Sequence, residues 1–141
     1  MINKLTRIFC IITILLVWLY FMGMTEALSD EAKHKESWYQ AKTCAGKIEY
    51  RLDDRTRIDC LTKDHAIEYD FANKWKESIG QSMHYAIKSN KQAGIVLIMR
   101  KDSDDKYLDS LMGAINFYVL PIDVWIITTN KDILKVGTLL K

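Results

Sequence analysis

The residues able to do chemistry in this chain sit on two short alternating stretches and on the helical stretch that follows. Asp59 lies within Arg57-Ile58-Asp59-Cys60, and Glu68 and Asp70 lie within Ala66-Ile67-Glu68-Tyr69-Asp70. Neighbouring strands run ~4.8 Å apart and their side chains alternate between faces. Asp59 and Glu68, brought into register on paired strands, can therefore grip one divalent cation, with Asp70 as a further oxygen donor on the face of Glu68. Hard carboxylate oxygens suit Mg²⁺, which keeps several waters and takes only one or two carboxylates. Such an ion activates a water and neutralises charge on a phosphodiester. The same pattern is equally that of carboxylates on the solvent face of a strand.

Lys74, Gln81 and Tyr85 fall at i, i+7 and i+11, which is one stripe of a helix. An ammonium at Lys74, close to the end of the Glu68 strand, can lower the pKa of an attacking water or hold a phosphate. Gln81 and Tyr85 can orient that lysine or a substrate. An ordinary polar helix face produces the same stripe.

The elements that must position these groups are readable from periodicity. Ser29 is a candidate N-cap, with Asp30 and Glu31 suited to a helix N-terminus, and a helix is expected over 30–43, with Gly46 in the place of a C-cap glycine. Residues 47–52 and 56–62 alternate apolar and polar around the polar turn Asp53-Asp54-Arg55, the pattern of a hairpin. A third strand is expected at 66–70, with Ile67, Tyr69 and Phe71 on one face and Glu68 and Asp70 on the other. In the second strand Arg57, Asp59 and Leu61 should share one face and Ile58 and Cys60 the other. From 72 to 89 the period becomes 3.6, with Trp75, Ile79 and Ala86 as the apolar stripe. The apolar run 95–99 suits a strand covered on both faces. A helix over 105–118, stopped before Pro121, and a strand over 122–128 complete the pattern, and the tail from Lys131 is too short to assign. The expected fold class is α/β, in the order αβββαβαβ, a mixed sheet flanked by helices with a parallel βαβ crossover.

These residues and this order resemble the PD-(D/E)XK (restriction-endonuclease-like) nuclease superfamily, whose core is αβββαβ; the resemblance covers about residues 30–99. Asp59 falls where that family places its first metal-binding Asp, and Glu68 at its (D/E) position. Gln81-Ser82-Met83-His84-Tyr85 looks like the QxxxY pattern of some branches. Glu36 matches the helix carboxylate that many members use. The resemblance implies a Mg²⁺-dependent nuclease acting on DNA, with Asp59, Glu68 and Asp70 at the metal and Lys74, Glu36, Gln81 and Tyr85 as the catalytic set. Two places after the Glu, however, the family's Lys is replaced by Asp70. Lys74 takes over its role, as in members that carry the lysine on the following helix, or the site lacks its proton-handling cation and the chain is an inactive exported binding domain on the same fold. The segment DRTRIDCLT and the HAIE that follows are also similar to stretches of small exported bacterial proteins.

Composition bounds these readings. The chain has 141 residues, one domain's worth. Its net charge of +2 gives no strong overall pull toward nucleic acid or anionic lipid. Lys4 and Arg7 precede an apolar run over 8–22 interrupted by Thr13. That is the layout of a signal peptide, residues 1–27, cleaved after Ala27, or of an uncleaved anchor that holds the chain to a membrane through residues 8–24. Lys4 and Arg7 would stay in the cytoplasm and domain 28–141 would face outward. Of the three cysteines, Cys10 lies in the apolar run. Cys44 and Cys60 are a disulfide pair in an oxidising compartment, or two buried thiols. His34, His65 and His84 have no metal-like spacing. Lys88, Lys91, Arg100 and Lys101 form a modest basic grouping, read as a solvated face.

Overall fold

The computed structural model describes residues 11–20 and 34–128, with the backbone of 133–136. The expected signal or anchor segment lies mostly outside these residues, as do Ser29, Asp30, Glu31 and Cys10. Residues 11–20 are helical, and among the described residues no helix is long and apolar enough to cross a membrane. They belong to a unit separate from the domain that begins at His34.

That domain is α/β: α1 (Glu36–Thr43), β1 (Lys47–Arg51), β2 (Arg57–Leu61), β3 (His65–Phe71), α2 (Trp75–Ser89), β4 (Gln92–Met99), α3 (Asp105–Tyr118), β5 (Ile122–Thr128) and β6 (Ile133–Val136). The six strands form one mixed sheet in sequence order. β1, β2 and β3 are an antiparallel meander; β3, β4 and β5 are parallel, joined through α2 and α3; β6 returns antiparallel on β5. β6 is the element the sequence left unassigned. Helix α2 is preceded by a 3₁₀ turn, Ala72–Lys74, so the α-helix starts at Trp75 and not at 72, with Lys74 as its N-cap.

The core has two sides because β4 is apolar at successive positions. Ala93, Ile95, Leu97 and Met99 pack with Ile122, Val124, Ile126 and the buried Leu111 and Ile115 of α3; Trp75, Ile79, Met83 and Ala86 of α2 close this side. Val96, Ile98 and Ile127 pack on the other side with Ile67, Tyr69 and Tyr39 of α1. The expected faces of β3 hold. Those of β2 do not: Ile58 packs with Ala66 and Tyr85, whereas Cys60 packs with Tyr39 and Ile67. The alternation breaks at Asp59.

The break has a visible cause. The β1–β2 register pairs Ile48 with Cys60 and Tyr50 with Ile58, leaving Glu49 opposite Asp59. Glu49 has φ of 55°, a left-handed conformation uncommon for a residue with a Cβ. β2 and β3 pair only at Cys60–Ile67 and Leu61–Ala66. Beyond that the Tyr69 N–H bonds to Asp59 Oδ2 at 2.9 Å, so a side chain substitutes for the missing ladder partner.

Two further expectations are corrected. Helix α1 starts at Glu36, with Lys35 as an extended N-cap that makes no side-chain cap bond. Gly46 is no left-handed C-cap, since none of the described glycines has positive φ. It is required because a Cβ there would stand 2.1 Å from the Leu61 carbonyl oxygen. Gly46→Ala should therefore cost ~1–3 kcal/mol, as forced overpacking does, read as a lower denaturant midpoint at unchanged m value. The sulfurs of Cys44 and Cys60 are joined in a disulfide with Cα atoms 5.7 Å apart, which ties the end of α1 to β2.

Candidate active site

The sheet places Glu68 and Asp70 on the face of β3 that looks toward α2, and both are buried, Glu68 at 6% exposure. Asp59 reaches the same region from β2, where the two strands part. Glu36, the first residue of α1, reaches it from the other side. Asp59, Asp70 and Glu36 each make ionisation of Glu68 harder.

Burial and this mutual repulsion set the protonation states. Burial pushes Glu68 up to about 9, reinforced by Asp59 and Asp70 and only weakly opposed by Lys74. Burial pushes Asp59 up to about 6, against the Tyr69 N–H that its carboxylate accepts. Burial raises Asp70 to about 6, against the Ser78 hydroxyl and Lys74. All three acids are thus pushed toward the protonated form, Glu68 the furthest.

Lys74 lies within this group. Its Nζ donates to Glu36 Oε1 at 2.8 Å and stands 3.4 Å from Asp70 Oδ1. The bond to Glu36, then the charges of Glu36 and Asp70, hold its pKa above the ordinary lysine value. It is a permanent cation braced by two acids. Ser78, with 0% exposure, donates to Asp70 Oδ2 at 3.1 Å. Asp70 is thereby held from both oxygens, while Glu68 Oε2 is buried with no hydrogen-bond partner. A buried polar atom without a partner costs free energy.

Tyr85 donates to Gln81 Oε1 at 3.3 Å, so Gln81 is turned to the tyrosine and not to Lys74. Burial, with the charges of Glu68 and Asp59, pushes the Tyr85 hydroxyl up to about 12. Among the described residues no three His, Cys, Asp or Glu side chains stand close enough to enclose a metal ion. Asp59, Glu68 and Asp70 are therefore no tight three-carboxylate cage. Mg²⁺ takes only one or two carboxylates and otherwise water, and of these acids Glu68 has a buried oxygen without a hydrogen-bond partner.

Sequence reasoning missed Ser78, whose signal was its position one helical turn after Lys74, and Glu49, whose left-handed backbone has no signal in a Glu. The histidines are engaged elsewhere. His65 Nε2 is 2.7 Å from Asp123 Oδ2, His84 Nε2 is 2.7 Å from Asp54 Oδ2, and His34 stacks on Trp38. The expected basic grouping is divided between two regions. Lys91 Nζ bonds to the Lys63 carbonyl, while Arg100 stacks on Phe71 and reaches the His34 carbonyl. The chain matches no protein-family model, no curated protein and no solved structure.

Proposed function

We propose that the chain is an exported, Mg²⁺-dependent phosphodiesterase of the PD-(D/E)XK type, acting on DNA. The observation that carries this reading is the buried, unpartnered Glu68 oxygen beside Asp59 and Asp70, with the Lys74 ammonium braced at the end of the same strand. The order αβββαβ of the first six elements supports the family reading. The disulfide supports a destination outside the cytoplasm, by cleavage after residue 27 or by anchoring through residues 8–24.

In this reading Asp59 and Glu68 would hold the ion, with Asp70 as a further oxygen donor. When bound, the ion supplies Lewis-acid polarisation and a water of lowered pKa. Lys74, kept protonated by Glu36 and Asp70, stabilises charge on the attacked phosphate or orients the attacking water. Glu36 sets the ammonium's direction, Ser78 fixes Asp70, and Tyr85 with Gln81 presents a neutral hydroxyl at the wall. Lys74 thus takes the place left by Asp70 in the family pattern.

One observation favours a second reading, an inactive binding domain on the same fold. The Lys74 ammonium already has two acidic partners, and a cation so paired has less charge to offer a phosphate. Full-length chain incubated with linear duplex DNA separates the two. Cleavage should require Mg²⁺ and fall at least ~100-fold, the order seen when one key charge-stabilising group is removed, in Asp59→Ala and Glu68→Ala. Absence of metal-dependent cleavage in the wild type, or cleavage unchanged in both variants, rejects the enzyme.

A further inference from the structure

The β1–β2 hairpin places arginines where an isolated sheet would not. Arg51 and Arg57 are directly paired across the strands, so their side chains leave the same side of the hairpin, and like charges opposite each other destabilise a sheet. Arg55, with φ of 71°, adds a third cation at the turn. All three are exposed. Arg57, with its side chain 58% exposed, pairs with Glu49, and among the described residues Arg51 and Arg55 have no acidic partner. The nearby Asp54 is occupied by Thr56 and His84.

This cationic ridge continues in sequence into the strand that carries Asp59. Arg57 is two residues from Asp59, roughly 6–7 Å along a strand. Its charge is felt at the Tyr85 hydroxyl, and that of Glu49 at Asp59. Glu49 is the strand residue held left-handed, and strained backbone of this kind concentrates at ligand clamps and active sites. Its carboxylate pairs with the Arg57 guanidinium.

We propose that Arg51 and Arg57 form an arginine fork that binds the phosphate backbone of the polyanion next to the bond being cut, with Glu49 parking Arg57 until a phosphate displaces it. This inference rests on the phosphodiesterase reading and adds the surface that holds the substrate. Two planar guanidiniums side by side can each take a phosphate in bidentate fashion, which lysines cannot do. The ridge also supplies the local positive charge that a chain of net charge +2 lacks overall, and it lies beside acids that would otherwise repel a nucleic acid.

The test uses the full chain and a fluorescent duplex oligonucleotide, with Ca²⁺ in place of Mg²⁺ to suppress cleavage, read by anisotropy at several salt concentrations. Arg51→Ala/Arg57→Ala should weaken binding at least ~10-fold and flatten the log Kd against log salt slope by about two, one for each lost phosphate contact. Arg51→Lys/Arg57→Lys should recover part of the affinity. Glu49→Gln, which removes the competing carboxylate, should tighten binding. Stabilisation by Mn²⁺ should be unchanged in the double alanine variant, which shows that its fold and pocket are intact. Wild-type affinity in the double alanine variant overturns the fork while leaving the phosphodiesterase reading standing. Weakened binding in Glu49→Gln overturns the parking role. A wild type that binds no oligonucleotide overturns both the fork and the reading beneath it.

Discussion

Glu68→Gln should raise the melting temperature of the metal-free protein by roughly 6–10 °C at pH 8, leave it almost unchanged at pH 4, and abolish stabilisation by Mg²⁺ or Mn²⁺. The sign follows from linkage. The Glu68 carboxyl is raised from an ordinary 4.5 to about 9 in the fold. A raised pKa means that the folded chain holds a proton the unfolded chain releases. The stability associated with that proton is fully present below about pH 4.5 and is lost as pH rises through about 9. Asp59 and Asp70, raised from 3.8 to about 6, act in the same direction over a lower window. Each pKa unit corresponds to about 1.4 kcal/mol. Discounting generously for relaxation around a buried acid, at least ~2 kcal/mol at pH 8 is recoverable, and a domain of this size gains several degrees per kcal/mol. Glutamine keeps the shape of the neutral acid and forgoes the unfolded-state ionisation. The metal-free wild type should therefore melt progressively lower from pH 4 to pH 9, and the variant along a flatter line. A variant less stable than the wild type at pH 8 would mean that Glu68 is ionised and satisfied by a partner, contrary to its unpartnered oxygen.

The second large effect concerns Cys44 and Cys60. Reduction, or replacement of both by alanine, should cost about 3 kcal/mol, the order expected for a bond closing a loop of 16 residues. The loss should concentrate in α1. An eight-residue helix is too short to persist without tertiary contacts. Besides the disulfide, α1 is held by Tyr39 in the core, by the Thr43–Tyr69 hydroxyl bond at 3.0 Å, and by Glu36 on Lys74. Freed of its covalent tie, α1 should become protease-sensitive over 36–44 before the sheet unfolds, and Lys74 should lose Glu36. Hydrogen exchange read at α1 with and without dithiothreitol checks this, with the double alanine variant as the control that no longer responds to reductant. Equal protection of α1 in both states would show that its non-covalent contacts suffice.

These two predictions also mark where sequence reasoning reached and where it stopped. The parallel core was legible because β4 is a continuous apolar run and because Pro121 ends the helix over 105–118, which the structure reproduces. The acids of β3 were legible because period-2 alternation separates Glu68 and Asp70 from Ile67 and Tyr69. The departure of β2 from β3 was not legible. It depends on a left-handed Glu49 opposite Asp59 and on a side chain standing in for a ladder bond, and neither has a local signature. Gly46 was read for its commonest use, a helix cap, when its reason is the close approach of the Leu61 carbonyl. The pairing of Gln81 with Tyr85 follows from i, i+4 spacing, but the target of Lys74 was set by α1, an element distant in sequence. The fold came from patterns within segments, whereas the site came from contacts between them.

The most direct measurement is calorimetric titration of Mn²⁺ into full-length protein at pH 7.5, repeated in two buffers of different ionisation enthalpy. Burial raises Glu68 to about 9, further than Asp59 and Asp70, which are raised to about 6, so an ion binding at these acids is expected to displace a proton from Glu68. Binding of one ion with release of close to one proton, both lost in Glu68→Gln, is the predicted result. Absence of binding, or binding that releases no proton and survives Glu68→Gln, would contradict the site.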